Sequence, residues 1–225
     1  MIILVVGSTE NYNELLAKFG QNHEISHADD LSDITEELFF KSDVVFDFIS
    51  HESPEDLEFY HQKPELLVFV HMALTSFAEV AVYTLDSPNQ IFGFNGFPTF
   101  VNRSILECTL SEEGDLKKLD AIAKKLDTDY EVVEDRVGMV TARVIFMIIN
   151  EAYFTVQEGT STKADIDLGM KLGTSYPHGP FEWSKQIGLE NVVELLEAVY
   201  EDTKDERYKI CPLLKKEYLT ELALD

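Results

Sequence analysis

The sequence predicts an α/β first part, built on a mostly parallel, doubly wound sheet, followed by an all-α second part. Three observations carry this. Short β-rich apolar runs alternate with helical patterns up to about residue 133. Beyond residue 136 the apolar spacing is helical wherever it is regular. The chain has 225 residues and is 45% hydrophobic, enough for one large core or two modest ones and too apolar for a disordered chain.

Taken in order, Met1–Val6 is a continuous apolar run ending at Gly7, and Tyr12–Phe19 is amphipathic. They read as a buried strand, a turn and a helix. Asp43–Ile49 and Leu66–Val70 read as further buried strands, Ile91–Phe94 and Ser104–Thr109 as shorter ones, with helices over Leu31–Phe40 and Ser76–Tyr83. Glu112–Leu126 reads as a surface helix with Leu116, Leu119, Ile122, Ala123 and Leu126 on one face, and Tyr130–Val133 as the last strand. Val137–Gln157 follows as a long proline-free helical pattern, apolar at Val137, Val140, Val144, Met147, Ile148, Ala152 and Val156. Lys163–Leu172, Asn191–Tyr200 and Leu213–Leu222 complete the helical part. Pro177, Gly179 and Pro180 mark a turn between helices, with Gly179 free to take positive φ, and Ser161-Thr162 ahead of Asp165 and Asp167 marks a helix start. A boundary near Glu134–Arg136 divides the chain into domains 1–134 and 135–225.

The charge excludes whole classes of partner. The chain has 42 acidic against 18 basic side chains, a net charge of −24. Nucleic acid and anionic membrane surfaces both require clustered Lys and Arg. From residue 1 to 107 there are 18 acids and, as bases, only Lys18, Lys41, Lys63 and Arg103. No apolar run approaches a membrane span, and the opening run lacks the length and the positive flank of a signal peptide. The two cysteines, Cys108 and Cys211, make no disulfide framework, so a reducing cytoplasm is expected. No metal site is expected.

A set of motifs in the second part resembles the C-terminal domain of the 3-hydroxyacyl-CoA dehydrogenase family, including the bacterial 3-hydroxybutyryl-CoA dehydrogenases. The motifs are Val137-Gly138-Met139-Val140-Thr141-Ala142-Arg143 with Asn150-Glu151-Ala152, then Glu158-Gly159 and Ala164-Asp165-Ile166-Asp167. Met170-Lys171-Leu172-Gly173, Tyr176-Pro177-His178-Gly179-Pro180-Phe181-Glu182, Arg207-Tyr208 and Cys211-Pro212-Leu213-Leu214 follow in family order. Several motifs in sequence over some ninety residues are far more specific than one short pattern. The resemblance implies a Rossmann-like N-terminal domain, a helical C-terminal domain that forms a homodimer through the 137–157 helix, NAD as cofactor and an acyl-CoA ligand. It also marks this N-terminal domain as truncated: the family's helical insertion contacting CoA has little room in Asp29–Ser42.

The site positions that the resemblance implies are altered. The glycine fingerprint that lets a diphosphate approach a helix N-terminus keeps only Gly7 in Gly7-Ser8-Thr9-Glu10-Asn11-Tyr12. Thr9 adds a Cβ, Tyr12 adds bulk, and Glu10 brings a carboxylate to the positive helix end. Asp29 or Asp30 stands at the offset of a ribose-binding acid, and Gly7 also reads as a plain structural turn. Threading Ile91–Thr109 against the family's catalytic run puts Asn95 at the general-base histidine and Glu107 at its orienting glutamate; a neutral Asn takes no proton at pH 7. Ala73 and Leu74 fall on the family's serine pair, with Thr75 or Ser76 one small shift away, and Ala142 falls on its substrate-binding asparagine. His71 stands beside that loop as a replacement base from another direction, or as a bland capping histidine.

Three functions remain open. The first is an active NAD-dependent enzyme oxidising 3-hydroxyacyl-CoA to 3-oxoacyl-CoA with substituted residues. The second, favoured here, is a degenerate member kept as a binding or regulatory dimer. The third is a different enzyme using His71, Glu107 or His178.

Overall fold

The computed structural model describes residues 1–224, apart from the side chain of residue 113. The chain forms two compact units, Met1–Met139 and Val140–Asp225.

The first unit is a seven-stranded sheet in the order β2-β1-β3-β4-β5-β6-β7. The strands are β1 Ile2–Val6, β2 Glu24–Ala28, β3 Val44–Asp47, β4 Leu67–His71, β5 Gln90–Phe94, β6 Ile105–Thr109 and β7 Asp129–Val132. β1 to β5 run parallel, β6 pairs antiparallel with β5, and β7 pairs parallel with β6. Alternate side chains supply two cores. Ile3, Val5, Phe46, Phe69 and Phe92 pack with helices α1 (Thr9–Phe19) and α4 (Leu116–Leu126) on one face. Leu4, Val6, Val45, Val68 and Val70 pack on the other, against α2 (Glu36–Lys41) and the helical turns Pro54–Gln62. Burial on both faces is why these strands read as continuous apolar runs.

Several local expectations needed correcting. The helix expected over Leu31–Phe40 is split: Asp30 accepts a bond from the Ser32 N–H and closes a single turn at Leu31–Asp33, then Thr35 caps α2 afresh. Of Ser76–Tyr83 only α3, Ala81–Thr84, forms, because Asp135 takes the Phe77 and Ala78 N–H groups at 2.9 and 3.3 Å. The surface helix begins at Leu116 rather than Glu112. β2 escaped detection: EISHA is a polar edge strand without an apolar run.

The second unit is helical: α5 Thr141–Gln157, α6 Lys163–Thr174, α7 Pro180–Ile187, α8 Leu189–Thr203 and α9 Pro212–Leu222. α5 starts four residues later than expected because Gly138 (φ 87°) and Met139 (φ 46°) are left-handed. The segment read as a turn leads straight into α7, with Pro180 at its first helical position. Gly179 has φ −77° and does not use its freedom to take positive φ. Glycine is needed there because a Cβ would collide with Asp167. Along α5, Ala142, Phe146, Ile149, Ala152 and Tyr153 face the core, while Val140 and Val144 are each 52% exposed. No helix among the described residues is long and apolar enough to cross a membrane.

Candidate functional site

The C-terminal ends of the parallel strands gather most of the residues singled out from sequence. Strand order reverses direction between β1 and β3, and this is where open α/β sheets bind ligands. Gly7 ends β1 at φ 146°, and a Cβ there would lie 2.8 Å from Asn11 Oδ1 and 2.9 Å from Phe48 Cβ. Close approach by another part of the protein therefore already explains this glycine.

The first turn of α1 closes on itself. Ser8 Oγ accepts from the Asn11 N–H at 3.3 Å, and Asn11 Oδ1 accepts from the Ser8 N–H at 2.9 Å. This is a capping box, which occupies two of the donors that a bound diphosphate would need. Tyr12 stacks on His27 at 5.1 Å, and His27 Nε2 donates to the Gly7 carbonyl at 2.7 Å and lies 3.4 Å from Asp29. Asp29 and Asp30 are exposed beyond β2, and the Ser32 bonds hold the Asp30 carboxyl below its ordinary range.

Further along the same edge, His71, Asn95 and Glu107 come together. Asn95 Nδ2 donates to Glu107 Oε2 at 3.0 Å, and the Asn95 N–H donates to the Glu107 carbonyl at 3.1 Å. The antiparallel β5–β6 pairing creates this juxtaposition. His71 is buried, and its Nδ1 accepts from the Gly96 N–H at 2.8 Å, which leaves its proton on Nε2. Burial and the neighbouring His51 push its pKa well below the usual value, so it is neutral at pH 7. His51, beyond β3, sits edge-on to it at 4.8 Å, and burial lowers its pKa too. Sequence reasoning missed His51, since only the adjacency of β3 and β4 brings it to His71. Thr75 and Ser76, near the serine-pair positions, both donate to Glu79 Oε2 at 2.9 and 3.3 Å. Ala142 is buried and offers no hydrogen-bonding side chain.

The second unit carries an open groove of about 580 Å³ lined by Val144, Met147, Ile148, Ile166, Met170 and Pro180, among others, with Arg143 and Arg207 also on its walls. His178 is at the surface beside Gln186 and belongs to none of the clusters above. Among the described residues, no group of three or more His, Cys, Asp or Glu could hold a metal ion.

Residues 138–221 match the family model of the 3-hydroxyacyl-CoA dehydrogenase C-terminal domain. The chain is 40% identical over 89 residues to 3-hydroxyadipyl-CoA dehydrogenase of Escherichia coli, a match covering 40% of this chain and 19% of that protein. It is 29% identical over 157 residues to 3-hydroxybutyryl-CoA dehydrogenase of Bradyrhizobium diazoefficiens, covering 68% of this chain and 53% of the relative. These matches span about half or less of those relatives. A 25% identity over 219 residues with the Clostridioides difficile 3-hydroxybutyryl-CoA dehydrogenase covers 92% and 77%. Among solved structures, FadB2 of Mycobacterium tuberculosis superposes with a TM-score of 0.77 at 17% identity, over 97% of this chain and 93% of that one. The (S)-3-hydroxybutyryl-CoA dehydrogenase of Ralstonia eutropha gives 0.74 at 18%, over 98% and 94%. The second unit thus matches the C-terminal domain of the 3-hydroxyacyl-CoA dehydrogenase family, and the chain shares a Rossmann-like-plus-helical fold with those structures over nearly its whole length.

Proposed function

We propose that this chain keeps the dehydrogenase scaffold with its inherited reaction, NAD-dependent oxidation of 3-hydroxyacyl-CoA to 3-oxoacyl-CoA, impaired or lost. It serves instead as a binding or regulatory homodimer in the cytoplasm, within fatty-acid metabolism. One observation carries the reading: groups that the resemblance assigns to ligands are engaged by internal partners. Ser8 and Asn11 cap each other, Asn95 is bound to Glu107, and Thr75 and Ser76 are bound to Glu79. A diphosphate does not fit this first turn, where it would have to break the capping box and lie beside Glu10. The homodimer is supported by the half-exposed Val140 and Val144 beside the apolar groove.

The second reading is an active 3-hydroxybutyryl-CoA dehydrogenase with substituted site residues. It draws on Glu107, which accepts a hydrogen bond from Asn95, and on Asp29 near the Gly7 turn. Calorimetric titration with NADH and with acetoacetyl-CoA separates the two. The first reading expects no heat of NADH binding up to millimolar concentration and no oxidation of 3-hydroxybutyryl-CoA. Micromolar NADH affinity with turnover establishes the second.

A further inference from the structure

One residue in the loop between β5 and β6 holds a conformation that its side chain disfavours. Thr99 has φ 73°, a left-handed value at which a β-branched residue is a genuine outlier. Asp127, Ser175 and Lys204 share the positive sign but end helices, where such a turn is routine. The Thr99 hydroxyl is buried without a hydrogen-bond partner, so its side chain gains nothing from the arrangement.

The restraint comes from charged side chains. Glu14 of α1 accepts the Thr99 N–H at 2.5 Å and also a bond from the Asn102 backbone. Arg103 Nε donates to the Thr99 carbonyl at 2.8 Å, with its guanidinium 4.2 Å over the Phe100 ring. One turn further along α1, Lys18 donates to the Arg103 carbonyl. These three charges are half-buried, and desolvation moves each toward neutrality, the Glu14 carboxyl upward and the Lys18 and Arg103 cations downward. Charges accepted at that cost hold something in place. The held loop joins Asn95 to the strand bearing Glu107, and Arg103 is close enough to Glu107 to interact with its charge.

We propose that Glu14 is a positioning residue of the β5–β6 loop: its carboxylate keeps Thr99 left-handed, and through Arg103 it sets the geometry of the Asn95–Glu107 pair. This rests on taking that pair as the site, and on neither reading of whether the site still turns over. Strain held by surrounding structure is characteristic of functional sites.

The test compares Glu14→Gln, Thr99→Gly and the double variant by NMR and amide hydrogen exchange, with Asn13→Gln, an exposed position on the same helix, as control. Glu14→Gln is expected to shift the Asn95 side-chain amide resonances and to lower protection of the Thr99 amide at least tenfold. Thr99→Gly alone leaves the Asn95 resonances in place, because glycine takes positive φ freely. The double variant regains the wild-type Asn95 resonances, a rescue that simple loss of packing or charge at Glu14 does not permit. If Glu14→Gln does not fold, the double variant is expected to fold. Unchanged Asn95 resonances in Glu14→Gln overturn the proposal, and so does a double variant that is no better than Glu14→Gln. NADH titration of the wild type bears on the reading of function alone, so failure of one is distinguishable from failure of the other.

Discussion

Asn150, inside α5, donates through Nδ2 to the Lys209 carbonyl at 2.9 Å and accepts at Oδ1 from the Cys211 N–H at 2.8 Å. It is buried, and it ties α5 to the segment that starts α9. Replacing it with Ala leaves both backbone groups without their partner. Each orphan costs about 1–3 kcal/mol, so Asn150→Ala is expected to destabilise the second unit by roughly 2–4 kcal/mol. A denaturant midpoint lowered with unchanged m-value checks this, and a change below about 0.5 kcal/mol contradicts it. In sequence, Asn150 entered only as part of the motif Asn150-Glu151-Ala152. Its two bonds run to residues about sixty positions away, which no local pattern reveals. Glu107 and Asn95 were found by threading, whereas His51 and Glu14 were missed because their partners lie on other elements.

Elements buried on both faces, or carrying one clear stripe, were legible. β1, β3 and β4 announce themselves as apolar runs, and α4 through Leu119, Ile122, Ala123 and Leu126, all buried. Where side chains compete with the backbone for hydrogen bonds the reading failed, as at Asp30 and at the 75–80 loop held by Glu79 and Asp135. The α5 stripe divides between the interior and the surface. Val140 and Val144, singled out by their spacing, are left exposed, while Phe146 and Ile149 fill the interior. Met147 and Ile148 are partly exposed and line the groove. If a second copy covers that groove, Met147→Asp or Ile148→Asp is expected to give monomers or insoluble protein, read by sedimentation or light scattering. A soluble, folded dimer from either variant rejects this surface as the interface.

Over the whole molecule, a net charge of −24 opposes both dinucleotide and acyl-CoA ligands, and it makes the response to acid informative. His51 and His71 have folded-state pKa values below their ordinary ones, mainly through burial. Below about pH 6.5 the unfolded chain takes up protons at these positions. The folded chain does not, so stability falls as pH drops through that value. Each histidine contributes a slope of up to about 1.4 kcal/mol per pH unit. Glu14 works in the opposite sense: its raised pKa lets the folded chain bind a proton before the unfolded one, which restores stability as pH falls toward the usual carboxylate range. The first unit is therefore expected to lose stability progressively as pH falls through about 6.5, with Glu14 offsetting part of the loss as the carboxylate range is approached. His71→Gln should flatten that profile below about pH 6.5, whatever its effect at pH 7, because the slope depends on proton uptake and not on how well the glutamine packs. Chemical denaturation at half-unit pH steps checks the slope, and an unaltered slope in His71→Gln would show that this histidine is not held neutral by the fold.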